Sequence, residues 1–218
     1  TQANVTIDRV HIHVGSGADP SVWGDVMDQS LAIMEKFPDA TILDIGGGFK
    51  VHRYGDETEA GIEKIIATFN EKLTVFHEKT GRSIQLEIEP GTYFIAHAGT
   101  LIAQIDDIVD TGSNGYTFLR LNTGMKDFLS TTLYGAQHKI EVINKASTTK
   151  EYIVVGHNCE SGDILTTVAG QPEEIAPRLL NEAQIGDEVR IYDAGAYCAS
   201  MRAIGYNSFP AAEEIMVD

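Results

Sequence analysis

The sequence predicts an α/β segment followed by an all-β segment, so one chain combines two fold classes. Strand and helix signals alternate over residues 1–92 at the spacing of βα units. After Gly91 the pattern changes to short β-rich runs that are separated by glycine, asparagine and aspartate. Hydrophobic residues make up 43% of the 218 residues, which is sufficient for a globular core. We therefore expect two domains, at residues 1–92 and 93–218.

The first segment contains three strand patterns and two helix patterns. The helix patterns repeat apolar residues every three or four positions, whereas the strand patterns are short and rich in β-branched residues. In chain order, we expect a strand at Val5–Val14, a helix at Trp23–Phe37, the strand TILDI before GGGF, a helix at Glu59–Thr80 that is capped by Gly81, and the strand IQLEI before Glu89. Parallel strands joined by helices form an open doubly wound sheet or part of a (β/α) barrel.

The β-rich runs of the second segment predict an all-β domain. They are TLIAQIDDIVDTG, YTFLRLNTG, KIEVINKA, EYIVVG, DILTTVAG and DEVRIYDAG. Only IAPRLLNEA and AYCASMRAIG have a helical pattern in this segment.

The composition argues against nucleic acid and membrane as partners. The chain has 16 basic and 32 acidic residues, a net charge of −16, and no basic run that would bind phosphate backbones or anionic lipid. No apolar stretch approaches the ~20 residues that a membrane helix needs, and the N-terminal sequence has no signal-peptide pattern. We expect a cytoplasmic protein in which Cys159 and Cys198 are free thiols.

Four short motifs are weak signals when each is considered alone. GGGF at Gly46–Phe49 follows a strand and could hold a phosphate, but it lacks nucleotide-loop spacing and is equally typical of a tight turn. HVGSG at His13–Gly17 is ordinarily a core histidine beside a turn. Glu89 lies where barrel strands present catalytic groups, and burying its carboxylate would require a cation. In GHNCESGDIL, Cys159 could be a nucleophile, a metal ligand, half of a disulfide or a loop residue.

In combination and in this order, the motifs carry a resemblance to a known family. The segments are HVGS, LDIGGGF, EPGTYFIAHAGTL, LNTGMKDFLSTTLYGAQH, GHNCESGDIL and GAYCASMRAIGYNSFPAAEEIMV. Across essentially the whole chain they resemble the C-terminal part of pyridoxal-phosphate-dependent decarboxylases of the diaminopimelate, ornithine and arginine decarboxylase family. The resemblance implies the C-terminal portion of an alanine-racemase-type (β/α)8 barrel followed by a β-sandwich or barrel domain. It also implies a homodimer whose active sites lie at the interface.

The resemblance assigns the cofactor pyridoxal 5'-phosphate to residues of both segments, and it implies no metal. His13 would stack on the pyridine ring, and Glu89 would face the pyridine nitrogen, where protonation makes the cofactor a better electron sink. Ser16, the glycine amides and Tyr197 would bind the phosphate. The cofactor-binding residues would thus be His13, Ser16, Gly46, Gly47, Gly48, Glu89 and Tyr197.

The resemblance also assigns roles around the substrate, a small amino acid. Cys159 would come from the partner subunit and would reprotonate the carbon that has lost CO2. Glu160 would bind the distal amine of the substrate, and Tyr134 matches a tyrosine of the diaminopimelate-type pocket. Asp163 would hold the loop, and Cys198 would serve packing.

Two departures from the family pattern concern the choice of substrate. Thr92 and Ser130 stand where diaminopimelate decarboxylases typically have arginines that bind the distal carboxylate, and a hydroxyl has neither the charge nor the fork of a guanidinium. Because Glu160 is retained, we expect a basic amino acid such as lysine or ornithine, with a D-centre by analogy with the relatives. Two alternatives stay open: meso-diaminopimelate, with Arg120 or Lys126 holding its carboxylate, and a cofactor-free homologue that acts as a binding protein.

The third departure is that the family's cofactor-binding lysine has no match in this chain. We interpret Lys50 and Lys126 as surface residues. We therefore expect that the N-terminal half of the barrel is missing from this sequence, which begins at Thr1 without methionine, and that this chain alone does not bind the cofactor covalently. An alanine racemase is disfavoured, because racemases of that fold place an arginine opposite the pyridine nitrogen, where this chain has Glu89.

Overall fold

A computed structural model describes residues 5–217, and these divide into two compact units. The first unit comprises residues 5–52 and 56–94, and the second comprises residues 53–55 and 95–217. Within the described range, the helices are too short or too polar to cross a lipid bilayer.

The first unit contains a parallel sheet of three strands in the order β1-β2-β3. Its elements are β1 (Arg9–His11), α1 (Pro20–Met34), β2 (Ile42–Asp44), α2 (Ile62–Thr80) and β3 (Gln85–Glu87). The short α3 (Gly91–Ile95) follows and ends one residue beyond this unit. The predicted parallel strands with intervening helices are confirmed. The first strand is shorter than the predicted Val5–Val14, because only Arg9–His11 pairs with β2.

Local sequence explains where both long helices begin and end. Asp19 caps α1 by accepting a hydrogen bond from the Ser21 amide at 2.8 Å, and Pro20 occupies the first turn, where its missing N–H costs nothing. Gly81 ends α2 in the left-handed conformation at φ 70°, as the sequence predicts.

An aromatic group forms the centre of the core between this sheet and its helices. The Trp23 ring stacks on Phe49 with 4.6 Å between centroids and meets Phe69 edge-on at 6.4 Å. Phe49 directly follows the glycine loop after β2, so this packing anchors the loop.

The second unit is built on a six-stranded sheet in the order β10-β7-β5-β4-β11-β6, with a separate pair of strands, β8 and β9. Neighbouring strands are antiparallel except β5 and β7. The two edge strands β10 and β6 approach each other, and Asn181 Nδ2 donates to the Val142 carbonyl at 3.1 Å. The elements are β4 (Thr100–Asp110), β5 (Thr117–Leu121), α4 (Leu129–Tyr134), β6 (Ile140–Ile143), β7 (Thr149–Val155), β8 (Thr167–Val168), β9 (Gln171–Ile175), β10 (Arg178–Asn181) and β11 (Glu188–Tyr192).

The helical predictions for the second unit were wrong. IAPRLLNEA contains β10, in which Arg178 and Leu180 are buried and Leu179 is exposed, because pairing with β7 imposes the two-residue period of a strand. AYCASMRAIG forms only a 3-10 turn at Ala199–Met201, since Tyr197 at φ 58° cannot continue an α-helix. The short helix α4 was not predicted.

Candidate active site

The carboxyl ends of the three parallel strands bring their following loops together in the first unit. A Cβ atom at Gly47 would overlap the carbonyl oxygen of Glu89, and one at Gly48 would overlap that of Gly15. Gly48 also has φ 99°, which other residues rarely adopt. Glycine is therefore required here, because the loops after β1, β2 and β3 approach more closely than side chains would allow.

His13 and Ser16 flank this glycine loop. The Gly47 amide donates to His13 Nδ1 at 3.3 Å, and a Cβ at Gly48 would come within 3.0 Å of the Ser16 Cα. The Gly46 amide donates to Asp44 Oδ1 at 2.9 Å. The structure thus brings the predicted residues of the first unit together, but the amides of Gly46 and Gly47 already have acceptors within the unit.

Sequence reasoning missed two further residues at the same strand ends. The ligand-type side-chain atoms of His11, Asp44 and Glu89 lie within 4.8 Å of one another. His11 Nδ1 donates to Asp44 Oδ2 at 2.8 Å, and this bond raises the pKa of His11. The signal that could have found them is the acidic residue two positions before the first glycine, since His11 and Asp44 are register partners on neighbouring strands.

The carboxylates of this cluster have different environments. Burial favours the neutral form of Asp44, but hydrogen bonds from the Gly46 amide and His11 outweigh it, so the pKa of Asp44 is lowered. Glu89 is exposed, which corrects the argument that burial of its carboxylate demands a cation. Thr92 is half-buried in α3, and Lys50 is exposed as predicted.

In the second unit, Cys159 and Glu160 are exposed on the loop after β7. The buried Asp163 holds this loop from its inner side, because its two oxygens accept the amides of Asn158 at 2.8 Å and Met125 at 2.7 Å. Burial raises the pKa of Asp163. The prediction that Asp163 holds the loop is confirmed.

The other residues predicted for the second unit fall into exposed and buried groups. Tyr134, the last residue of α4, and Tyr197 are both exposed. Ser130 is 3% exposed, and its hydroxyl lies 3.2 Å from His138 Nε2 and 3.6 Å from Cys198 Sγ. The side chain of Ser130 is therefore part of the core of the second unit, and its contact with substrate stays a prediction. Cys198 serves packing as predicted, and burial raises the pKa of its thiol.

Lys126 was predicted at the surface, and this prediction was wrong. The residue is 5% exposed, forms an ion pair with Asp127 and donates to the Pro210 carbonyl at 2.9 Å. A buried ammonium needs such partners. Lys126 is therefore engaged inside the second unit, whereas Arg120 is exposed on β5.

Comparison with known proteins defines the class to which these two units belong. Residues 26–195 match the family described as "Pyridoxal-dependent decarboxylase, C-terminal sheet domain". The chain belongs to this family, and the resemblance inferred from the sequence motifs is confirmed. Pyridoxal phosphate is the cofactor of the family.

Several individual relatives that match are diaminopimelate decarboxylases. The enzyme of Buchnera aphidicola subsp. Baizongia pistaciae is 32% identical over 226 residues, covering 99% of this chain and 52% of the relative. That of Escherichia coli K12 is 31% identical over 219 residues, covering 96% of this chain and 50% of the relative. The chain thus spans about half the length of these relatives.

Solved structures give the same result for the fold. A diaminopimelate decarboxylase crystal structure superposes with a TM-score of 0.83 at 30% identity, covering 94% of this chain and 49% of that one. A lysine/ornithine decarboxylase from Vibrio vulnificus, complexed with cadaverine, superposes with a TM-score of 0.80 at 24% identity. The match covers 99% of this chain and 56% of that one, and it concerns the fold alone.

Proposed function

We propose that this chain is the C-terminal part of a pyridoxal-phosphate-dependent amino-acid decarboxylase. The observation that carries the proposal is the convergence of His13, the glycine loop and Glu89 at one end of a parallel sheet. In the complete protein, residues 1–92 would continue a (β/α)8 barrel whose other half supplies the cofactor-binding lysine. Two such subunits would share their active sites.

The first unit fits a phosphorylated pyridine cofactor. Gly47 and Gly48 let the loop after β2 lie against the backbone of Glu89 and of Gly15, and a glycine loop directly after a strand suits a phosphate beside Ser16. Glu89 would hold a protonated ring nitrogen, His13 would lie against the ring, and Tyr197 would add a phosphate contact. When bound, pyridoxal phosphate supplies the sink for the electron pair that remains on the α-carbon as CO2 leaves.

The second unit would supply the proton and the substrate contacts. Cys159 would donate its Sγ proton to the α-carbon, where the electron pair of the broken C–C bond forms the new C–H bond, and the thiolate would regain a proton from solvent. Glu160 would hold a distal ammonium group, and Tyr134 would line the same pocket.

Lysine or ornithine, as the D-enantiomer, is the substrate that we propose. A distal carboxylate would need a cation, but Thr92 carries no charge, Ser130 is buried and Lys126 already pairs with Asp127. The names of the curated relatives favour meso-diaminopimelate as the second candidate, for which Arg120 is the exposed cation.

The test is a comparison of kcat/KM in the complete protein for both enantiomers of lysine and ornithine and for meso-diaminopimelate. Two absent charge-assisted contacts, each worth roughly 1.5 to 3 kcal/mol, should disfavour meso-diaminopimelate by at least ~100-fold. Thr92→Arg should move the ratio back, with Thr92→Gln as the neutral control of similar length. We do not add Ser130→Arg, because a guanidinium at that buried position would disrupt the core.

The outcomes separate the alternatives. An equal or higher kcat/KM for meso-diaminopimelate would refute lysine or ornithine as the preferred substrate. It would still support the proposal that the complete protein is a decarboxylase. Failure of the complete protein to bind pyridoxal phosphate would instead indicate the cofactor-free binding homologue.

A further inference from the structure

Residues 206–212, which we call the C-terminal strap, contact the loop that carries Cys159. The side-chain oxygen of Asn207 accepts two hydrogen bonds from this loop, one from the Cys159 amide at 2.8 Å and one from Asn158 Nδ2 at 3.3 Å. The loop is thus held from one side by the buried Asp163 and from the other by the strap.

The residue before Asn207 contacts the neighbour of Cys159. The Tyr206 hydroxyl donates to Glu160 Oε2 at 3.3 Å. Adjacent strap residues therefore contact the adjacent residues Cys159 and Glu160, so the position of the strap determines both.

The strap itself is anchored at its other end. Lys126 Nζ donates to the Pro210 carbonyl at 2.9 Å, and Asp127 Oδ1 accepts the Ala212 amide at 2.9 Å. Because Lys126 and Asp127 are buried and paired with each other, they form a fixed base for the strap.

The strap maintains an unusual backbone conformation at the point of contact. Asn207 has φ 52° and Ser208 has φ 61°, both in the left-handed region that side chains with a Cβ seldom adopt. Asparagine is one of the residues that tolerate this region best. Phe209, which follows, stacks on His157 of the loop with 3.8 Å between ring centroids and 12° between planes. Such a turn persists where the surrounding contacts over-determine it.

We propose that Asn207 is a positioning residue for Cys159, and that Tyr206 has the same role for Glu160. The inference deepens the proposed function, on which it rests, since proton delivery to one carbon atom requires Sγ to be held in place. Asn207 fixes the Cys159 backbone amide and thereby the origin of the side chain. Tyr206 fixes the carboxylate that would receive the distal ammonium.

The experiment compares two Asn207 variants in the complete protein with its cofactor bound. Asn207→Gly adopts the same φ but removes the acceptor, whereas Asn207→Asp keeps the acceptor and tolerates the same φ. Ser208→Gly is the matched control, since it alters the neighbouring left-handed residue without removing a contact to the loop. The measurements are the fraction of turnovers that give misprotonated, transaminated product, and the pH profile of Cys159 alkylation by iodoacetamide, resolved by peptide mass spectrometry.

We expect Asn207→Gly to raise the misprotonated fraction about tenfold, roughly the effect of losing the hydrogen bond to the Cys159 amide, and to change the alkylation rate of Cys159. Asn207→Asp should keep the wild-type product ratio but move the alkylation midpoint to higher pH, because its negative charge disfavours the thiolate. Tyr206→Phe should raise KM for substrates with a distal ammonium and leave kcat unchanged.

Wild-type product ratio and alkylation in Asn207→Gly would overturn the role of Asn207, and an unchanged KM in Tyr206→Phe would overturn that of Tyr206. If Asn207→Gly fails to fold, the alkylation midpoint of Asn207→Asp tests the role of Asn207, and the KM of Tyr206→Phe tests that of Tyr206. A complete wild-type protein without decarboxylase activity would refute the proposed function, while the alkylation profiles would still test whether Asn207 positions Cys159.

Discussion

At the scale of single residues, Asp163 determines the shape of the loop that presents Cys159. It is 3% exposed, and it accepts the buried amide of Asn158 and the partly buried amide of Met125. Asp163→Ala should therefore lower the free energy of unfolding by about 2 to 4 kcal/mol, because both donors lose their acceptor. Asp163→Asn, which keeps one oxygen, should cost less. Urea denaturation of both variants measures the difference.

The raised pKa of Asp163 also predicts how the free energy of unfolding depends on pH. Burial raises its pKa above the ordinary value, so the folded state binds a proton at pH values where the unfolded state has released it. The contribution of this group to stability is therefore full below the unfolded pKa and falls as the pH rises through the folded pKa. The stability advantage of wild type over Asp163→Asn should grow as the pH is lowered through the acid range, and a constant difference would contradict this assignment.

At the scale of elements, Arg82 ties the chain after α2 to the end of α1. Its guanidinium donates to the carbonyls of Met34 at 2.9 Å, Phe37 at 3.0 Å and Ala40 at 2.6 Å. These carbonyls lie at the negative end of the helix dipole and in the turn beyond it. Arg82→Met should therefore lower the free energy of unfolding by about 2 to 3 kcal/mol.

Two variants control for charge and for surface position. Arg82→Lys keeps the charge but loses the planar set of N–H donors of the guanidinium. Its thermal unfolding midpoint should therefore fall between those of wild type and Arg82→Met. Lys79→Met breaks an exposed ion pair with Glu35, in which Nζ and Oε1 are 2.6 Å apart, and should leave the midpoint nearly unchanged. If Lys79→Met were as damaging as Arg82→Met, charge in general rather than the capping contacts would explain the effect.

At the scale of the whole molecule, the proposed shared active sites predict complementation between inactive subunits. Glu89→Ala damages the first unit and Cys159→Ala the second, and each variant alone should decarboxylate slowly. If the two groups act in one site from different subunits, a reassociated equimolar mixture should recover about a quarter of wild-type activity, because half of the dimers contain one intact site.

Controls define what this result means. Reassociation of each variant with itself should recover nothing, and analytical ultracentrifugation should establish that mixed dimers have formed. Mixed dimers that remain inactive would indicate that Glu89 and Cys159 act within one subunit.

The sequence by itself determined the features that depend on neighbouring residues. Three features are local and could be predicted correctly. They are the alternation of strand and helix patterns before residue 92, the helix cap at Gly81 and the short β-rich runs after Gly91. The family motifs also identified His13, Glu89 and Cys159 as candidate site residues, because each motif is a short run of consecutive residues.

Only the tertiary structure decided the features that depend on residues far apart in the chain. IAPRLLNEA has helical propensity, but pairing with β7 makes part of it the strand β10. The burial of Ser130 and Lys126 and the bond between Asn207 and Cys159, which are 48 positions apart, leave no local trace. The physical reason is that burial and hydrogen-bond partners belong to the packed chain, so a local preference of a few tenths of a kcal/mol per residue yields to long-range contacts worth more.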